Sequence, residues 1–271
     1  FFIGSLPVFA QDTLNNINVY TEVYNQMKAN YPLFEYRKHY NIDSSYFKFY
    51  NQAKFSKSQK ELQQASCSML SDLNDFHVRL FFENGKCFAA PVTNWHSQFN
   101  TDSLDHLFWA NSDSTLYEQG FESIQSRIFD GEYPMIRFSR SKDYAYLNLT
   151  RFEYKFNATQ TFIQAKKVAK TMDEITTYLK DSRAIIIDMR SCQGGFEANA
   201  EAIASRLIDS TTIWGESIEY SNASDIHQKR IFSIEPKGNI LTQIPIVILT
   251  NEVTRSCAEE FIMMIKASSN N

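Results

Sequence analysis

Glycine is scarce in this chain, with 8 in 271 residues. That scarcity makes the adjacent pair Gly194–Gly195 stand out. The chain has no internal repeat and no low-complexity segment, so an ordinary globular build remains. Its four cysteines, Cys67, Cys87, Cys192 and Cys257, show no CxxC spacing. A thiolate metal site therefore has no support. Positive charge is not concentrated either. The net charge is −4 and no basic stripe is present, which sets nucleic acid aside as a partner. Beyond the first ten residues no apolar run approaches about 18 residues, so no membrane span is expected in the mature chain.

What is present is a large supply of core side chains. The chain is 43% hydrophobic, with 22 Phe and 14 Tyr. Its length suits one large or two modest domains. Phe1 to Ala10 is a short apolar run ending in a small residue, followed by the polar Gln11-Asp12. It reads as the back half of a secretory signal peptide cleaved after Ala10, with the basic front end missing. Export to a periplasmic or extracellular location is the expectation. It would permit disulfides. A Cys67–Cys87 bridge is conceivable, but buried thiols are the favoured reading for all four cysteines.

The pattern predicts a helix over residues 12–30 and two more over 43–72, with Ser56 or Ser58 as a cap between them. A hairpin is expected from His77 to Ala90, turning at Asn84-Gly85. Together, residues 11–90 read as an N-terminal helical region with a β-hairpin. Residues 91–133 read as a linker or insertion, with one helix or irregular strand near 115–129. Strands are expected at 135–138 and 144–149. The clearest helix is 158–180, where Phe162, Ala165, Val168, Ala169, Met172, Ile175, Tyr178 and Leu179 form one stripe. Strand 184–188, helix 197–208, strands 213–220 and 245–250, and helix 256–267 follow. This alternation predicts an α/β core over residues 134–271 with parallel pairings. An α/β layer normally continues into another strand, so truncation after Asn271 is expected.

Two segments carry the chemistry. Ala184–Asp188 leads into Met189-Arg190-Ser191-Cys192-Gln193-Gly194-Gly195, and Ile246–Leu249 leads into Thr254-Arg255-Ser256-Cys257-Ala258-Glu259. Each reads as a buried strand, a turn and a helix. A Gly pair lets backbone approach a ligand closely. A Ser at a helix N-terminus lies among free N–H groups that can hold an oxyanion. Acyl transfer needs this combination.

These segments, with Leu73-Asn74-Asp75-Phe76-His77 upstream and the strand Tyr144-Ala145-Tyr146-Leu147, resemble the carboxy-terminal processing (tail-specific) serine peptidases. That group includes the tricorn core and the modules of interphotoreceptor retinoid-binding protein. Family members carry Asp-Leu-Arg-x-Asn-x-Gly-Gly, and Cys192 stands here in place of the Asn. No PDZ module is evident, so the chain looks closer to the tricorn-core and retinoid-binding type. The resemblance implies a crotonase/ClpP-like ββα spiral core. It implies Ser256 as nucleophile and His77 as general base. Gly194 or Gly195, left open, and Cys257 would supply the oxyanion N–H groups, with Asp188 and Arg190 as structural support of the turn. Without the family, Ser256 would read as an N-cap and the Gly pair as a tight turn. No metal or cofactor is needed. His39, His96, His106 and His227 default to surface or packing roles. The third catalytic group, a family Lys or Glu downstream of the Ser, is expected beyond Asn271. Lys266, Glu259 and Glu260 do not match it. Loss of members of such a set costs up to ~10⁶ in kcat, so the chain as given is open to being inactive.

The implied function is an exported serine endopeptidase acting on peptides or unfolded chains through an acyl-enzyme. The alternatives are a non-catalytic binding module of the same fold, an inactive fragment, or an acyl-CoA enzyme of the related crotonase type. Oligomeric state and substrate sequence are not legible. The Asn-x-Ser/Thr sites at Asn148, Asn157 and Asn222 would matter only in a eukaryotic secretory host.

Overall fold

A computed structural model describes residues 13–34, 36–82, 85–89, 94–99, 101–129, 134–153, 161–220, 227–241 and 244–268. The signal-peptide reading of 1–10, the expected turn residue Asn84, the sites at Asn157 and Asn222, and the last three residues lie outside them. The chain divides into two compact units, Phe1–Val92 and Thr93–Asn271.

The first unit holds α1 (Thr13–Asn30), α2 (Ile42–Lys54) and α3 (Gln59–Ser71), then β1 (Asp75–Phe82) and β2 (Gly85–Ala89). Tyr20, Val23 and Met27 sit on one face of α1 and are buried against Leu62, Ala65 and Met69 of α3. The Ser58 hydroxyl caps α3 by accepting from the Glu61 amide at 3.3 Å. The strands pair antiparallel, with Phe82 opposite Gly85. Register shifts between Asp75 and Arg79: those two residues face Ala89 and Phe88, neighbours on β2. Three residues, Phe76 to Val78, therefore bulge out of the ladder, with Asn74 before them at φ 54°.

Cys67 on α3 and Cys87 on β2 form a disulfide. This corrects the buried-thiol reading for that pair; Cys192 and Cys257 are buried thiols. Closing a loop of 20 residues restricts the unfolded chain and is worth about 3 kcal/mol. The double substitution Cys67→Ser/Cys87→Ser should lower unfolding free energy by about that amount in a denaturant titration. An unchanged midpoint would count against the bridge.

The second unit holds α4 (Asn94–Gln98), α5 (Asp102–Glu118), β3 (Gln125–Arg127), β4 (Ile136–Arg140), β5 (Tyr144–Leu149), α6 (Thr161–Leu179), β6 (Ala184–Asp188), α7 (Glu197–Ala204), β7 (Thr212–Tyr220), β8 (His227–Ile234), β9 (Ile246–Leu249) and α8 (Cys257–Ala267). The sheet order is β3-β4-β5-β6-β9. β3, β4 and β5 run antiparallel, while β5, β6 and β9 run parallel. The expected α/β core with parallel pairings is present.

α6 buries Val168, Met172, Ile175 and Leu179 completely or nearly so. Each contributes about 1.5–3 kcal/mol by leaving water. Two elements differ from the sequence expectation. α5 is a helix of 17 residues in the segment read as a linker; its Asn, Ser, Asp and Thr residues dilute the apolar stripe. β8 forms a two-stranded ribbon with β7, outside the main sheet. No helix among the described residues is long and apolar enough to cross a membrane.

Candidate active site

β6 and β9 are adjacent parallel strands, so their C-terminal ends open on the same edge of the sheet. In open α/β sheets ligands bind at such ends. The turn after β6 runs through Met189–Gly195, and the turn after β9 through Thr250–Ser256. Four hydrogen bonds tie them, one of them from Arg255 Nη2 to Gln193 Oε1. The Ser191 amide donates to Asn251 Oδ1 at 3.1 Å. The Thr254 hydroxyl donates to the Met189 carbonyl at 2.9 Å. The Arg255 amide donates to the Cys192 carbonyl at 3.2 Å. Asn251 Oδ1 also accepts from the Val253 amide at 3.1 Å. Asn251 and Thr254 were not assigned these roles from sequence. A Thr two residues before the Ser, following an Asn, is a turn signal that could have flagged them.

Under the first turn lies a buried acid. Asp188 has no exposed surface. It accepts from Arg190 Nε at 2.9 Å and Nη2 at 2.6 Å. It also takes the Arg190 amide at 3.1 Å and the Tyr146 hydroxyl at 2.9 Å. Asn148 Nδ2 donates to the Asp188 carbonyl at 2.8 Å. The fork of Arg190 matches a carboxylate in two bonds, which fixes orientation. Hydrogen bonding to Asp188 raises the Arg190 pKa. Burial, and then Asp188, push the Tyr146 phenol up. Asn148 is fully buried, which closes that sequon to a glycan.

The glycines meet two different neighbours. Gly194 has φ +90°, and a Cβ there would lie 2.8 Å from the Arg255 carbonyl, 2.9 Å from the Cys257 amide and 3.0 Å from Ser256 Cβ. Gly195 has φ +148°, and its Cβ would lie 2.5 Å from the Phe152 carbonyl carbon. Gly194 thus backs onto the Ser256 turn and Gly195 onto the chain beyond β5. The Phe152 amide donates to the Gly194 carbonyl at 2.9 Å, and Phe152 accepts from Phe196 at 3.1 Å.

Ser256 precedes α8 with φ 57° and ψ −133°. A non-glycine residue in that region costs on the order of 1–3 kcal/mol and needs outside support. Glu259 supplies some: its Oε2 accepts the Ser256 amide at 2.8 Å. Ser256 is half-buried. The Cys257 amide, at the first helical position, has no acceptor among the described residues. Burial, and then Glu260, push the Cys257 thiol up. Burial pushes Cys192 to about 12. Both sulfurs therefore stay protonated and are poor nucleophiles. The missing family Asn at Cys192 leaves the turn intact, because backbone groups make its bonds: the Cys192 amide donates to the Met189 carbonyl at 3.0 Å.

Gly194, Gly195, Ser256 and Cys257 therefore come together in the second unit, with Asp188 and Arg190 beneath. His77 belongs to the first unit. Its side chain is 54% exposed, and Nδ1 stands 3.2 Å from Asp75 Oδ1. His39 and His106 are exposed. The side chains of His96 and His227 are outside the described residues.

Beside the first turn opens a pocket of about 660 Å³, lined among others by Trp95, Phe99, Trp109, Arg137, Ser191 and Gln193. The Arg190 guanidinium lies over Phe108 at 5.1 Å and Trp109 at 5.8 Å. Arg190 thus connects the aromatic wall to the turn.

The fold is that of the S41 peptidase neighbours. Residues 143–271 match the model of peptidase family S41, whose members are serine hydrolases. The chain is a serine-type peptidase. No functionally curated protein matches the sequence. Among solved structures, a Parabacteroides merdae chain assigned to the peptidases superposes with a TM-score of 0.69 at 17% identity, covering 96% of this chain and 74% of that one. Mature CPAF in complex with lactacystin superposes with a TM-score of 0.59 at 12% identity, covering 95% and 83%. At such identities the likeness is one of fold, and it agrees with the α/β core expected from the sequence.

Proposed function

We propose that the chain is an exported serine endopeptidase that cleaves peptides or unfolded protein chains through an acyl-enzyme. Ser256 Oγ attacks the scissile carbonyl and His77 accepts its proton. The Cys257 amide and the Gly194–Gly195 turn hold the tetrahedral oxyanion. His77 then gives the proton to the leaving amine, and water releases the acyl group by the same route.

The observation that carries this reading is the lodging of Gly194 against the start of α8, where the Cys257 amide lacks an acceptor among the described residues. An oxyanion site requires N–H groups held in place before the charge develops. The aromatic pocket beside Ser191 and Gln193 is a site for an apolar substrate side chain. Export is supported by the Cys67–Cys87 bridge, which persists in an oxidising compartment.

Fluorophosphonate labelling of the full-length protein, with peptide mapping and a Ser256→Ala control, tests the reading. Modification at Ser256 is the expected result. A folded protein that takes no label would give way to a non-catalytic binding module.

A further inference from the structure

Within the first unit a buried acid lies beside His77. Asp75 is 6% exposed, and its two oxygens are both engaged. Oδ2 accepts the Tyr31 hydroxyl at 2.7 Å. Oδ1 accepts the His77 amide at 2.9 Å and stands 3.2 Å from His77 Nδ1. The backbone is shaped to make these contacts. Asn74 takes a left-handed conformation at φ 54°, and the bulge over Phe76–Val78 turns this stretch out of the ladder. Bulges re-aim side chains at functional sites.

We propose that Asp75 is the positioning residue of the catalytic base. Its carboxylate holds the His77 imidazole in the Nδ1–H tautomer and leaves Nε2 as the proton acceptor. This rests on the reading of His77 as the base of Ser256. The proton of Ser256 Oγ passes to Nε2, and the imidazolium keeps its Nδ1–H bond to Asp75. Asp75 takes no proton itself and stabilises the cation that forms.

A simpler role is an Asx turn, in which Asp75 only shapes the backbone. That role needs one oxygen and is met from the surface. Here the carboxylate is buried, which costs on the order of several kcal/mol unless the charge is fully paired. Burial alone would raise the Asp75 pKa. The His77 side chain and amide, with Tyr31, hold it well below the usual carboxylate range. Tyr31 is itself pushed to about 12, first by burial and then by Asp75. It therefore stays a donor, and the acid stays ionised. A Tyr–Asp–His chain of this kind fixes both the ring and its tautomer.

The test is nitrogen-15 NMR of histidine-labelled full-length protein at about pH 8, where free imidazole is neutral. His77→Gln identifies the signal among five histidines. The expected result is an Nδ1–H tautomer for His77 that is lost in Asp75→Asn. The same substitution should lower kcat by about 10²–10⁴ with KM within about threefold. Asp75→Glu should restore part of the loss. An Nε2–H tautomer in the unsubstituted protein overturns the proposal even if no variant folds. So does an Asp75→Asn protein with unchanged kcat. The tautomer measurement does not depend on Ser256. A chain that shows Nδ1–H but takes no fluorophosphonate label upholds the Asp75–His77 pair and removes the peptidase reading.

Discussion

Ser256→Ala leaves a folded protein whose kcat is lower by about 10⁶. The size of the loss follows from the geometry around the residue. Ser256 and Glu259 form a capping box at the start of α8, and its bond from the Ser256 amide to Glu259 Oε2, at 2.8 Å, does not use the hydroxyl. Alanine keeps that amide, so the helix start survives the change. No neighbour can replace Ser256 in the attack proposed for it. The Cys257 thiol is buried and its pKa is pushed up, so almost no thiolate is available at neutral pH. Steady-state kinetics on a peptide substrate, with thermal unfolding as the control for folding, give the comparison. Residual turnover within about tenfold of the parent would mean that another group performs the attack.

The two glycines should fail in different ways. At Gly194 an added Cβ meets the Arg255 carbonyl at 2.8 Å and the Cys257 amide at 2.9 Å. Those atoms are backbone, so the Ser256 turn itself has to move. Gly194→Ala should therefore lower kcat by at least the ~10²–10³ that follows loss of one oxyanion donor. At Gly195 the Cβ meets Phe152 and Glu153 backbone at 2.5 and 2.6 Å. Phe152 is fully buried in the core. Gly195→Ala should lower stability by on the order of 1–3 kcal/mol before it affects chemistry. Unfolding midpoints and kcat for both variants separate the cases. A Gly194→Ala protein with full activity would show that the Cys257 amide is not used.

Much of this was legible because periodicity reports burial. The α6 stripe, through Val168, Met172, Ile175 and Leu179, is the buried face of the helix. The apolar runs at Ile185–Ile187 and Ile246–Leu249 are neighbouring parallel strands. Where burial is slight, the pattern carried little. α5 leaves Leu104, Leu107 and Tyr117 exposed, and β7 and β8 leave Ile213, Ile218 and Ile231 exposed. Only Trp214 and Ile234 of this ribbon enter the core, too few to mark an alternating strand pattern. The Cys67–Cys87 bridge depends on a distance between α3 and β2 that spacing does not encode. At the site, residue types were readable but their contacts were not. Asp75 stood out only as a neighbour of His77, because the bulge that brings their side chains together is a property of register.

The backbone at Ser256 carries a consequence for descent. At φ 57° and ψ −133° a glycine would sit without strain. A lineage that no longer needed the hydroxyl would gain stability by losing it. A serine held at so unfavourable a position gives up stability to keep a hydroxyl at the start of α8.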